Sequence, residues 1–131
     1  MPIIDISLPA SNEANGLAEN NVKVRGVDSA YSNAFDTLEN VQGKPVFIET
    51  LNSNEIYINS KLSELLKVTR GGPVTVYTRS GSSEFTVLDV LTSGGLAGGG
   101  INPYILFDLS TLQTLLGQNA KVGFFILNII F

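Results

Sequence analysis

Two runs rich in β-forming residues, Val74-Thr75-Val76-Tyr77-Thr78 and Glu84-Phe85-Thr86-Val87-Leu88-Asp89-Val90-Leu91, stand on either side of Ser80-Gly81-Ser82-Ser83. Branched and aromatic residues separated by a short Ser/Gly stretch specify an antiparallel hairpin, and a hairpin is stable only when further strands cover its apolar face. The chain supplies them. Val22-Lys23-Val24-Arg25-Gly26-Val27 alternates, which predicts a strand with Val22, Val24 and Val27 turned to the core. Pro45-Val46-Phe47-Ile48-Glu49-Thr50, Glu55-Ile56-Tyr57-Ile58 after the polar turn Asn52-Ser53-Asn54, and Tyr104-Ile105-Leu106-Phe107 after Pro103 read as further strands. Residues 1–8 are expected as an edge strand before Pro9, residues 11–21 as a loop or remnant linker, and residues 121–131 as a closing buried strand.

Helices enter as short leucine-faced insertions. Asn59 or Ser60 can cap a helix whose Leu62, Leu65 and Leu66 share one face, with Gly71-Gly72-Pro73 as its stop. Over residues 108–116, Ser110 and Gln113 have capping-box spacing, Leu112, Leu115 and Leu116 form the apolar stripe, and Gly117 closes it. A third helix, capped by Asp28 or Ser32 and holding Phe35 and Leu38, is expected to end near Gly43. The predicted fold class is therefore α+β: a mixed, mostly antiparallel β-sheet with two or three short helices. One domain is expected, with residues 1–21 as an N-terminal strand or linker remnant and residues 22–131 as the core. At 131 residues the chain can bury roughly two thirds of its unfolded surface, enough for a core without staples.

Composition removes whole classes of function. The chain has no His and no Cys, which takes away the usual transition-metal ligands, the thiolate nucleophile and the histidine base. No cofactor is expected. Eight Lys+Arg against 12 Asp+Glu give a net charge of −4, so the basic face that a nucleic acid requires is missing and the expected partners are proteins or neutral ligands. Charged residues make up 15%, where about 25% is usual. With a mean hydropathy of +0.22, that composition suits a surface covered by membrane or partner, and equally a β-rich domain whose polar surface is Ser, Thr and Asn. No apolar stretch reaches the roughly 20 residues that span a bilayer. The opening residues lack the basic and apolar regions of a signal peptide, so an extracytoplasmic location would need a segment outside this sequence.

Each candidate site has a plainer alternative. Gly94, Gly95, Leu96, Ala97, Gly98, Gly99 and Gly100 could approach a phosphate, but Pro103 and a strand follow where a phosphate loop has its helix, so a glycine-rich interaction loop is expected. Glu49 and Glu55 could be paired by a turn, and solvated strand ends are expected instead. Asp89 is expected to face water from an apolar strand. Ser63 and Lys67 lie i, i+4 on one helix and read as a solvent-facing pair, not a nucleophile and its base. Tyr31, Tyr57, Tyr77 and Tyr104 either line an aromatic groove or pack with their hydroxyls at the rim.

The order of segments resembles a known family. Val24-Arg25-Gly26-Val27-Asp28 is followed by a short helix and Gly43. Ile56-Tyr57-Ile58-Asn59 then runs into a leucine helix, and Gly72-x-Val74 leads into the hairpin ending Phe85-Thr86-Val87-Leu88-Asp89-Val90. Last comes Phe107-Asp108-Leu109-Ser110-Thr111-Leu112-Gln113-x-Leu115-Leu116-Gly117. Over about residues 22–131 this is similar to the extracytoplasmic core domain of MacB/FtsX-type ABC-transporter permeases. Gly72-Pro73 departs from the Gly-Asp common there, and the flanking membrane helices are not in this sequence. The resemblance implies a MacB-like, non-enzymatic domain outside the membrane that passes motion between a cognate ATPase and substrates or partner proteins. Its partners would be the permease's own transmembrane helices, the ATPase acting through them, and a second permease copy or an extracytoplasmic protein. The expected working surfaces are the loop from Gly94 to Gly100, the turn of Ser53, Asn54 and Glu55, and the exposed side of the last helix. A free-standing module binding a small molecule or peptide in a pocket lined by Tyr77 or Tyr104 is the alternative.

Overall fold

Alternating side chains turn a strand's successive residues to opposite faces, and here the sheet closes on itself, so those faces become an inside and an outside. The computed structural model describes residues 3–28, 38–79, 81–92 and 102–116. Its elements are β1 (Ile3–Asn12), β2 (Leu17–Val27), β3 (Leu38–Glu39), β4 (Pro45–Val46), a 3₁₀ turn (Ile48–Thr50), β5 (Glu55–Asn59), α1 (Ser60–Leu66), β6 (Pro73–Thr78), β7 (Gly81–Leu91), β8 (Tyr104–Asp108) and α2 (Leu109–Leu115). Six strands close into a barrel in the order β1-β2-β8-β5-β7-β6, and β6 returns to β1 at Ala10↔Val76 and Ser11↔Thr75. The β2–β8 and β5–β7 joints are parallel, and the other four are antiparallel. Among the described residues, mostly strand with two α-helices, the architecture matches the expected mixture, while closure of the sheet is new.

The barrel is filled by side chains. Val22, Val24, Ile56, Ile58, Val74, Val76, Val87, Ile105 and Phe107 turn inward, with Phe85 edge-on to Phe107 at 5.0 Å and 86°. The intervening residues Tyr57 and Leu106, with Val27 and Leu91, face outward into a second cluster covered by Leu38 and Ile48. That double burial explains why β5 and β8 read as continuous apolar runs.

The helices close the barrel. β5 and β8 are antiparallel, so α1, which continues β5, and α2, which continues β8, lie at opposite ends. Leu62 and Leu66 enter the core from one end, Leu109 and Leu112 from the other. At the α2 end Gly26 allows the close approach: a Cβ there would lie 2.8 Å from Leu112 Cδ2 and 3.2 Å from Leu112 Cβ. We expect Gly26→Ala to cost about 1–3 kcal/mol through overpacking. Urea unfolding checks this, and adding Leu112→Ala should recover part of the loss, because the clash is with that side chain.

Several expectations need correcting. Residues 11–21 are not a loop or linker: β1 runs to Asn12, β2 begins at Leu17, and a tight turn with Gly16 at φ +76° joins them. The segment is polar because Asn12 Nδ2 (3.0 Å) and Asn15 Nδ2 (3.2 Å) donate to the Leu66 carbonyl at the end of α1. β1 is no edge strand but a barrel stave, and Pro9 is tolerated because it sits at the register shift between Leu8 and Ala10. Leu38 belongs to β3, not to a helix; residues 29–37 of that expected helix lie outside the described residues. Of residues 45–50, only Pro45–Val46 is strand, because the chain turns there to lay Ile48 on the outer cluster. The β6–β7 turn is tighter than expected, for Ser82 and Ser83 already pair with Tyr77 and Val76. α1 stops before the glycines, at Lys67 in the left-handed region (φ 52°). Asp108, not Ser110, is the N-cap residue of α2, so no Ser110/Gln113 capping box starts the helix. The expected closing strand, residues 121–131, is outside the described residues.

Candidate interaction surface

β7 is longer than β5, which joins it only from Thr86 onward, where Glu55 pairs. Its first half therefore stands away from β5 at the α2 end. A groove of about 410 Å³ lies there, bounded by Ser83, Glu84 and Phe85 of β7, Ser53 and Asn54 of the turn before β5, and Ser110, Thr111, Thr114 and Leu115 of α2. Two of the three surfaces singled out from the sequence are thus walls of one groove. Glu55 instead braces the turn, its carboxylate accepting from Asn52 N–H at 2.9 Å. The third surface, Gly94, Gly95, Leu96, Ala97, Gly98, Gly99 and Gly100, lies outside the described residues.

The anchoring of this end is local and specific. The Asn54 carbonyl accepts from Thr86 N–H at 2.9 Å, tying the turn to β7. On α2 the Ser110 hydroxyl donates to Asp108 Oδ2, and Thr114 donates to the Ser110 carbonyl at 3.1 Å. Glu84 is the one ionisable side chain among the groove residues named above, so the wall is rich in hydroxyls and carries a single negative charge. Ser83, Glu84, Phe85 and Thr111 were missed in the sequence. The signal was present, since the run from Gly81 to Leu91 outlasts Glu55-Ile56-Tyr57-Ile58, but only the pairing shows which half is left over.

A second groove, of about 270 Å³, is bordered by Val41, Glu64, Arg70 and Asp89. Asp89 does not simply face water. Its Oδ2 accepts from Asn40 Nδ2 at 3.0 Å, while buried Asn40 receives Gln42 and Lys44 N–H on its Oδ1, each at 2.9 Å. That network pins the β3–β4 turn to β7 and needs no other role.

The remaining candidates are structural. Ser63 is not paired with Lys67: its hydroxyl donates to the Val68 carbonyl at 2.6 Å and fastens the end of α1. Glu49 lies in the 3₁₀ turn, and Glu55 serves Asn52. The described tyrosines, Tyr57, Tyr77 and Tyr104, line neither of the two grooves. Tyr57 is in the outer core, donates to the Phe47 carbonyl at 2.8 Å, and has its phenol pushed above the ordinary value by burial, so it remains a neutral donor. Tyr77 donates to Glu13 Oε2 at 2.7 Å and lies 2.8 Å from the Ser11 hydroxyl. Tyr104 carries the Arg25 guanidinium 5.7 Å above its ring, and Arg25 meets Asp5 at 2.8 Å. Tyr31 is outside the described residues.

No protein-family model matches the chain, and no curated protein matches it in sequence. Among solved structures it is similar to the periplasmic region of MacB from Actinobacillus actinomycetemcomitans, with a TM-score of 0.57 and 12% identity over 89% of this chain. The chain spans about half of that structure, 51% of its length. At this identity the likeness is one of fold: the architecture is MacB-like. Among the described residues no helix is long and apolar enough to cross a membrane.

Proposed function

We propose that this chain is an extracytoplasmic domain of an ABC-transporter permease, a non-catalytic module that passes conformational change to, or contacts, substrates and partner proteins. The observation that carries the reading is the agreement of motif order and fold. The ordered motifs between Val24 and Leu116 resemble such permeases, and the fold is similar to a MacB periplasmic region over 89% of the chain. The direction of the chain fits as well. Ile3 pairs with Val27, and Val27 with Asp108 at the start of α2, so β1 enters and α2 begins at one end of the barrel. The absence of His and Cys, with Ser63 committed to a backbone carbonyl, favours a role in contact over one in chemistry.

The lack of cysteine also provides the test. In the protein expressed in its own membrane context, Ser53→Cys places a thiol on the exposed turn of a chain that has none. We expect a membrane-impermeant maleimide to label it in intact cells, after the outer membrane is permeabilised where one is present. Labelling that appears only after the inner membrane is broken would refute the extracytoplasmic assignment.

A further inference from the structure

The hydrogen bonds around β7 fix which of its main-chain groups look into the groove. Thr86 N–H donates away from β6, to the Asn54 carbonyl at 2.9 Å, whereas Val87 N–H donates to the Gly72 carbonyl at 2.9 Å on the β6 side. Residues two apart on a strand point their peptide groups the same way. The N–H and C=O of Ser82 and Glu84 therefore share the direction of Thr86, toward the groove, while Ser83 and Phe85 exchange bonds with Val76 and Val74. No described strand lies alongside Ser82 and Glu84, because β5 begins only opposite Thr86.

Sheet edges are ordinarily guarded by Lys, Pro, a bulge or covering chain. β4, in the separate two-stranded sheet, carries Pro45. Gly81-Ser82-Ser83-Glu84-Phe85 has neither Lys nor Pro, its register with β6 is unbroken, and its single guarding charge is that of Glu84. The stretch offers about 13 Å of edge at roughly 3.3 Å per residue. It faces the hydroxyl-bearing side of α2, with Phe85 and Leu115 also bounding the space.

We infer that this groove receives an extended, cationic segment of a partner polypeptide, which adds as a strand to β7 through the main chain of Ser82 and Glu84. An unpaired edge selects extended peptide by its backbone. Glu84, the single charge on the walls, selects Lys or Arg across from it, since like charges opposed on a sheet are unfavourable. The inference deepens the proposed contact role by naming what this surface contacts, and it rests on that role.

Two measurements test it. In amide hydrogen exchange on the intact chain, Ser82 and Glu84 are expected to exchange quickly while Ser83 and Phe85 are protected by β6; protection of all four in the protein alone would overturn the inference, because the edge would already be filled. A displayed random-peptide library is then selected on the protein. Enriched peptides are expected to carry Lys or Arg within β-forming residues, to protect the Ser82 and Glu84 amides on binding, and to bind at least tenfold more weakly to Ser82→Pro and to Glu84→Lys. Ser82→Pro removes a groove-facing N–H but also fixes the local φ, whereas Glu84→Lys alters an exposed side chain without touching the ladder, so the second variant decides if the first does not fold. No enrichment, acidic peptides, or binding unchanged by Glu84→Lys would overturn the proposal. The maleimide experiment judges membrane location separately, so failure of one is not failure of the other.

Discussion

Asn59→Ala is expected to destabilise the protein by about 3–5 kcal/mol, among the largest losses from any single polar side chain here. The residue is fully buried. Its Oδ1 accepts from Leu62 N–H at 3.0 Å, capping α1, and from Tyr104 N–H at 3.0 Å, while its Nδ2 donates to the Asn102 carbonyl at 2.8 Å. Loss of the cap costs about 1 kcal/mol, and loss of each of the other two part-buried bonds adds about 1–2 kcal/mol. The backbone of Asn59 also pairs with Leu91 at the end of β7. One residue thus fixes where β7 ends, where α1 starts and where β8 begins. Asn59→Asp retains both acceptor bonds but sets a carboxylate against the Asn102 carbonyl, so it should fall between wild type and alanine near neutral pH. Chemical denaturation of the three proteins checks the order, and a loss under about 1 kcal/mol for alanine would show that these bonds are replaced by water.

Phe107→Ala is the second large effect, expected at about 3–5 kcal/mol for deletion of a fully buried aromatic side chain. Phe107 supplies the partner for Phe85, which is both a core residue and a wall of the groove. Truncation should therefore loosen the groove as well as the core. Phe107→Leu, which keeps most of the volume, should cost less than half as much. Thermal unfolding gives the stabilities, and amide exchange at Phe85 reports the loosening; an unchanged Phe85 amide in Phe107→Ala would separate groove from core.

The residues most legible in advance were those whose local pattern and tertiary role agree. Val22 and Val24 alternate and point into the barrel, whereas Val27, expected on the same face, is buried in the outer cluster; Asn59 stands before a leucine-faced turn and caps it. Leu62 and Leu66 face inward as their spacing requires. What escaped were features set by distant partners. The polar stretch around Asn12 and Asn15 looks like a loop until α1 supplies the carbonyl those amides bind. Leu38 has no local cue separating a helix from a two-residue strand placed by Asn40. Closure of the barrel depends on the parallel joints β2–β8 and β5–β7, made between strands far apart in the chain, and hydrophobic period does not encode which strands become neighbours. The groove was half legible: Ser53, Asn54 and the α2 face were anticipated separately, while their meeting beside β7 follows from register alone.

A cylinder of six staves has a leucine stopper in each mouth. Among the described residues its axis is filled by valine, isoleucine and phenylalanine. Whatever this domain meets, it meets on the outer wall of the barrel.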